Sequence, residues 1–218
     1  MKADTPASND FNQNRYWLLW VLGTAGGWLT AYWVSILIGS LVLSSLPIDP
    51  ATLSSSEPLP EAVQMPLLFL QVATLFIIGA IVGGAQWLLL RQQIPQVGRW
   101  PLFTALGCLI TLFAGPYWLL FVGLGMGLLQ WLILRNILNR SGWWSLISAG
   151  GWALGFVLGD VVGLLLASVL DVTLAQLLGY TTIGIVAGAL TGVVLLWLLR
   201  ENRVLLDGLR EEAEQAKR

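Results

Sequence analysis

Three polar side chains stand inside long apolar runs of this chain: Gln86, Gln130 and Asp160. An amide offers two donor hydrogens and an acceptor oxygen, so in such a run it bonds either a neighbouring helix or a polar ligand. Asp160 is the sharper case, because a carboxylate deep in a membrane span is by default an ion or proton site. Lying 17 residues beyond Trp143, or about 25 Å at helical rise, it falls near the far boundary of a span, where a solvated role is also open. Other chemistry has little to work with. The chain contains no His and a single cysteine, Cys108. That leaves no disulfide within the chain, no Cys-based metal site and no imidazole proton shuttle. No phosphate loop, dinucleotide fingerprint or His-Glu metal spacing is present. A serine nucleophile within the membrane would lack a paired base. The expectation is a non-enzyme with no metal and no dedicated cofactor, although a bound lipid or pigment fits the composition.

The elements that hold these residues are written in the hydropathy. Of 218 residues, 56% are hydrophobic and 11% charged, with a mean hydropathy of +0.77. A soluble domain carries about 25% charged residues. Spans of about 20 apolar residues point to helices, which satisfy their own backbone in lipid, and the alternation of a β-barrel is absent. The expected fold is all-α: a polytopic membrane helix bundle with six transmembrane helices. The segments run from about Tyr16 to Leu46, Pro66 to Leu90, Trp100 to Gly115, Tyr117 to Leu134, Trp143 to Leu170 and Gln176 to Leu199. The third is barely long enough to cross. Residues 1–15 read as a polar tail without a secretory-signal pattern, 16–200 as the membrane domain, and 201–218 as a cytoplasmic amphipathic helix. In that last helix Leu205, Leu209, Ala213 and Ala216 recur at helical spacing. The Pro/Ser/Thr-rich stretch 47–61 reads as a loop.

All eleven Lys and Arg residues fall at one side of these segments. Such a bias sets orientation, so both termini are expected in the cytoplasm. Trp17, Trp20, Trp87, Trp100, Trp131, Trp143, Trp144 and Trp197 lie toward the same span ends, where amphipathic rings favour the headgroup level. Trp87 with Arg91, and Trp131 with Arg135, are read as interface anchors. Net charge is −1 and the basic residues form no stripe, which argues against a nucleic-acid partner. Membrane lipids, and other membrane proteins, are the expected partners.

The same vocabulary recurs. Gly79-x-x-x-Gly83-x-x-Gln86-Trp87-Leu88-x-Leu90-Arg91 returns 44 residues later as Gly123-x-x-x-Gly127-x-x-Gln130-Trp131-Leu132-x-Leu134-Arg135. The match runs ungapped over 79–115 and 123–159, with 13 identities in 37 positions. A second offset, 124 residues, relates Trp20, Ala25-Gly26-Gly27-Trp28 and Gly39 to Trp144, Ala149-Gly150-Gly151-Trp152 and Gly163. The last segment keeps Gly184 and Gly188 but has Thr191 where the Gln would fall. Repeated hairpins in one orientation imply a pseudo-rotation axis along the membrane normal. Gly79/Gly83, Gly123/Gly127, Gly151/Gly155 and Gly184/Gly188 are spaced as helix-packing glycines, which let backbones approach in lipid.

The G-x-x-x-G-x-x-Q-W-L-x-L-R helix followed by W-x-x-x-x-A-x-G resembles a group of bacterial multi-pass membrane proteins, largely cyanobacterial, that has no established activity. The resemblance covers roughly Gly79 to Gly159. It implies a bacterial inner membrane, plasma or thylakoid, and transfers no functional residue. On the residues themselves, the expected function is a structural, assembly or binding factor within the membrane. The alternative is a small-solute carrier in which Gln86, Gln130 and Asp160 line one path.

Overall fold

A computed structural model describes residues 12–45 and 61–215; the tail 1–11 and the stretch 46–60 lie outside the described residues, as do 216–218. Every regular element among the described residues is a helix. The helices are α1 (Gln13–Ser45), α2 (Glu61–Leu90), α3 (Trp100–Ile110), α4 (Trp118–Leu134), α5 (Gly142–Ala167), α6 (Val172–Glu201) and α7 (Arg203–Gln215). Among them α1, α2 from Val63, α5 and α6 are long and apolar enough to cross a membrane.

The third apolar segment is shorter as a helix than its sequence suggests, while the fourth keeps its expected length as Trp118–Leu134. After the 11 residues of α3, a 3-10 turn covers Thr111–Tyr117. Its break is Gly115, at φ 55° and ψ −131°, a conformation that a side chain with a Cβ adopts only under strain. At about 1.5 Å per residue α3 is roughly 16 Å long. The α3–α4 hairpin is therefore a low one between two tall ones. By contrast, α5 continues unbroken through Asp160.

The helices form a ring. Each of α1 to α6 packs chiefly on its neighbours in the chain, and α1 also packs on α6, which closes the circle. Glycines set the spacing at many of these contacts. A Cβ added to Gly79 would lie 2.5 Å from Cα of Ala105 on α3, and one added to Gly83 would lie 2.7 Å from the Thr104 side chain. Gly123 abuts the Ser148 carbonyl and lies close to Trp152. Gly127 faces Ser145 and Ser148, Gly155 faces the Ile183 carbonyl, Gly184 faces Ala25, and Gly188 faces Val21 and Thr24. Gly151 departs from the expectation. A Cβ there would stand 3.4 Å from Leu190, an ordinary contact, so this position does not demand a glycine.

Two apolar clusters fill the ring. One, at the arginine-bearing end, joins Trp20, Leu90, Trp100, Leu134, Trp144, Leu195 and Leu198 to Ile94 and Val97 of the α2–α3 loop and Leu138 of the α4–α5 loop. The loops thus tuck their apolar residues under the bundle and seal that end. Helix α7 adds Leu206 and Leu209 to the seal. It is a separate helix rather than an extension of α6, because the chain turns at the buried Asn202. Its inward face carries Leu206 and Leu209, while Leu205 is exposed. The expected stripe was thus off by one residue at its start. The second cluster lies deeper in the ring and packs Trp28, Cys108, Met126, Trp152 and Phe156.

Candidate functional site

The buried polar residues of the ring belong largely to one layer, just inside the sealed end. Helix α2 contributes Gln86, α4 Gln130, α6 Thr191, α1 Trp20 and Thr24, α3 Trp100 and Thr104, and α5 Trp144 with Ser145 and Ser148; all are buried. An indole N–H is only a donor, so it must meet an oxygen. Trp100 Nε1 donates to Gln86 Oε1 at 3.2 Å, and Trp144 Nε1 donates to Gln130 Oε1 at 2.9 Å. Trp20 Nε1 donates to Thr191 Oγ1 at 3.1 Å. Each amide oxygen is thereby oriented toward its tryptophan, and each NH₂ toward a hydroxyl. Gln130 Nε2 donates to Thr104 Oγ1 at 2.9 Å and to Gln86 Oε1 at 3.3 Å, while Gln86 Nε2 donates to Thr24 Oγ1 at 3.4 Å.

The hydroxyls complete the chain in a common way. Thr104 donates to the Trp100 carbonyl at 2.8 Å and Thr191 to the Ala187 carbonyl at 2.7 Å, each one turn back in its own helix. Ser145 on α5 donates to the Gly127 carbonyl of α4 at 3.0 Å. The three indoles stack edge to face, Trp100 on Trp144 at 5.5 Å between centroids and Trp20 on Trp144 at 6.0 Å, a favoured aromatic geometry. Both glutamines therefore have oxygen and nitrogen partnered within the protein.

This placement corrects two expectations. Trp20, Trp100 and Trp144 do not face outward toward headgroups; they are fully buried, at 0%, 0% and 1% exposure. Trp87 and Trp131 are only half-buried, each with an arginine over its ring, Arg91 at 4.6 Å and Arg135 at 5.4 Å. Second, Gln86, Gln130 and Asp160 do not line one path. The two glutamines touch each other, whereas Asp160 lies far along α5, exposed, in a groove between α5 and α6.

That groove has a volume of about 380 Å³ and is lined by Gly159, Asp160, Gly163, Gln176, Gly179 and Tyr180, among others. Tyr180 is stacked on Tyr32 of α1, ring centroids 3.9 Å apart and planes 28° off parallel. Asp171 lies beyond it as the N-cap of α6, accepting from the backbone N–H of Thr173 and Leu174.

Elsewhere, the described residues hold no group of three or more carboxylate or thiol side chains suited to a metal ion. Cys108 is a buried free thiol. Sequence reasoning missed the partners of the glutamines, Trp100 and Trp144 with Thr24 and Thr104, and the partner of Thr191, Trp20. The usable signal was the separation of 14 residues in both Gln86–Trp100 and Gln130–Trp144.

The fold and this layer define a class, an apolar helical bundle of membrane type with a glutamine layer bonded to its own indoles and hydroxyls. Nothing takes it further by comparison: no family model matches the chain, nor does any curated protein or solved structure.

Proposed function

We propose that this chain is a six-span protein of a bacterial inner membrane, with both termini cytoplasmic, that acts without catalysis as a binding or assembly factor among lipids and other membrane proteins. The six helices of the ring would be three hairpins about a pseudo-threefold axis. In this reading the Trp20–Thr191, Trp100–Gln86 and Trp144–Gln130 pairs are equivalent seats, and α3 and α4 cross where the bilayer is thinned or where their neighbours cover them.

The observation that supports a binding factor over a carrier is the bonding of Gln86 and Gln130. A carrier requires polar groups that are free to exchange with a solute. Here both amides bond indoles, hydroxyls and each other. What remains for partners is the outside of the ring, where large apolar residues such as Leu37, Leu41, Phe69 and Leu164 are exposed. In a bilayer such a surface meets lipid or another apolar protein face.

The test is purification in mild detergent followed by mass and absorption spectra of what co-elutes. A lipid, pigment or membrane protein at near-stoichiometric level is the expected result; solute uptake by reconstituted vesicles, with nothing co-purified, would reverse the reading. Orientation has its own check. Ser55→Cys should react with an impermeant thiol reagent added outside intact cells, while Gln96→Cys should stay protected.

A further inference from the structure

Asp160 sits in the run Gly155-Phe156-Val157-Leu158-Gly159-Asp160-Val161-Val162-Gly163 of α5. Its carboxylate has neither an ion pair nor a hydrogen bond within the described residues. Counter-ions on its own helices are remote. Arg140 lies 20 residues before Asp160, and Arg200 lies 20 residues after Tyr180, each about 30 Å along the helix. An aspartate cannot reach out of an apolar layer as a lysine stem does. Asp160 lies seven residues before the end of α5 at Ala167, hence about 10 Å below it, just under headgroup depth on the membrane reading.

The surroundings select the kind of cation. A hard divalent ion needs six or more oxygen ligands, and no second carboxylate lines the groove. An organic ammonium is different: it needs one counter-ion, and it is attracted to an aromatic face. Tyr180 lines the groove beside Asp160, and its stack on Tyr32 fixes the ring. Space is provided by glycine. At the floor the helices meet backbone to backbone, since a Cβ on Gly179 would lie 2.7 Å from the Gly159 carbonyl oxygen. Toward the end of α5 the contact loosens to ordinary van der Waals distance, a Cβ on Gly163 having 3.7 Å to the Ala175 carbonyl oxygen. The rim is apolar and exposed at Val161, Leu164 and Val172, as acyl chains require.

We propose that this groove seats the ammonium headgroup of a phospholipid, with Asp160 as counter-ion, Tyr180 as aromatic wall and the apolar rim holding the chains. The assignment rests on the membrane reading above and adds a ligand class to it. The ion pair and the cation–π contact together give a preference on the order of tenfold over a lipid lacking the amine.

The experiment uses the full chain in nanodiscs of equal phosphatidylethanolamine and phosphatidylglycerol, with retained lipids counted by native mass spectrometry as detergent is raised. The wild type should keep phosphatidylethanolamine about tenfold better than phosphatidylglycerol. Asp160→Asn should lose that preference, and Asp171→Asn should keep it. Equal retention of the two lipids by the wild type, or an unchanged preference in Asp160→Asn, overturns the proposal. So does displacement of the lipid by free phosphoethanolamine at micromolar level, which would make a soluble amine the ligand. Alkaline carbonate extraction of the same proteins separates the two readings. Release from the membrane would sink the membrane assignment, whereas a chain that stays embedded without lipid preference would sink only this site.

Discussion

The Gln86–Gln130 layer and the Asp160 groove are two polar places in an apolar ring, and they handle polarity in opposite ways. In the layer every amide atom bonds another protein group, the indoles pack edge to face, and the loops close over the end. In the groove a carboxylate is exposed between two helices, without an ion-pair partner among the described residues. The difference is one of donor supply. The layer holds three indole N–H groups and two amides against the hydroxyls and carbonyls they need, so it saturates itself. The groove holds a carboxylate that no cation among the described residues pairs. Polarity that is internally matched stabilises a fold, whereas unmatched polarity is what a ligand can complete.

Mutations should separate the two regions by size of effect. The largest is expected at the seam that lets the layer form: Gly79→Leu forces α2 off the α3 backbone, which cannot yield, and should cost about 3 kcal/mol or more. Loss of a monodisperse peak on size exclusion would register it. Gln130→Leu comes next. It leaves Trp144 Nε1 and Thr104 Oγ1 without their bonds to it and takes a donor from Gln86, so a destabilisation of about 2–3 kcal/mol is expected, read as a lower melting temperature in detergent. A melting temperature equal to wild type would remove the layer from the account of stability.

Thr191→Val is gentler. It deletes one acceptor, that of Trp20, and should cost about 1 kcal/mol. An effect as large as that of Gln130→Leu would mean that the third seat matters as much as the glutamine seats. Asp160→Asn should leave stability within about 0.5 kcal/mol while changing lipid retention. A strong loss of stability there would make Asp160 part of the packing and erase the contrast between the regions.

Much of this was readable along the chain. Depth in a span follows from position, at a fixed rise per residue, so the arginine-bearing end and the outlying place of Asp160 came from the order of residues. Azimuth did not. Trp87 and Trp100 look alike in sequence, each beside an arginine at the end of an apolar run, yet one is half-exposed under Arg91 and the other fully buried. About 100° of rotation separates consecutive residues on a helix, and which side faces inward depends on the neighbouring helices. For the same reason the inward residue of α7 is Leu206 rather than Leu205, and Gly151 makes an ordinary contact where Gly155 makes a backbone one.

By itself, then, the sequence determined the class of molecule, since hydropathy and the scarcity of charge leave a chain of this kind few surfaces it can tolerate. It also determined the suspect residues, because an amide or a carboxylate in an apolar run has to be partnered. Only the tertiary structure decided what partners them. Gln86 meets Trp100 from the next helix, Thr24 from the first and Gln130 from the fourth, and Asp160 meets a groove. Those encounters depend on how six helices rotate and close into a ring, which is fixed by the packing of all of them together.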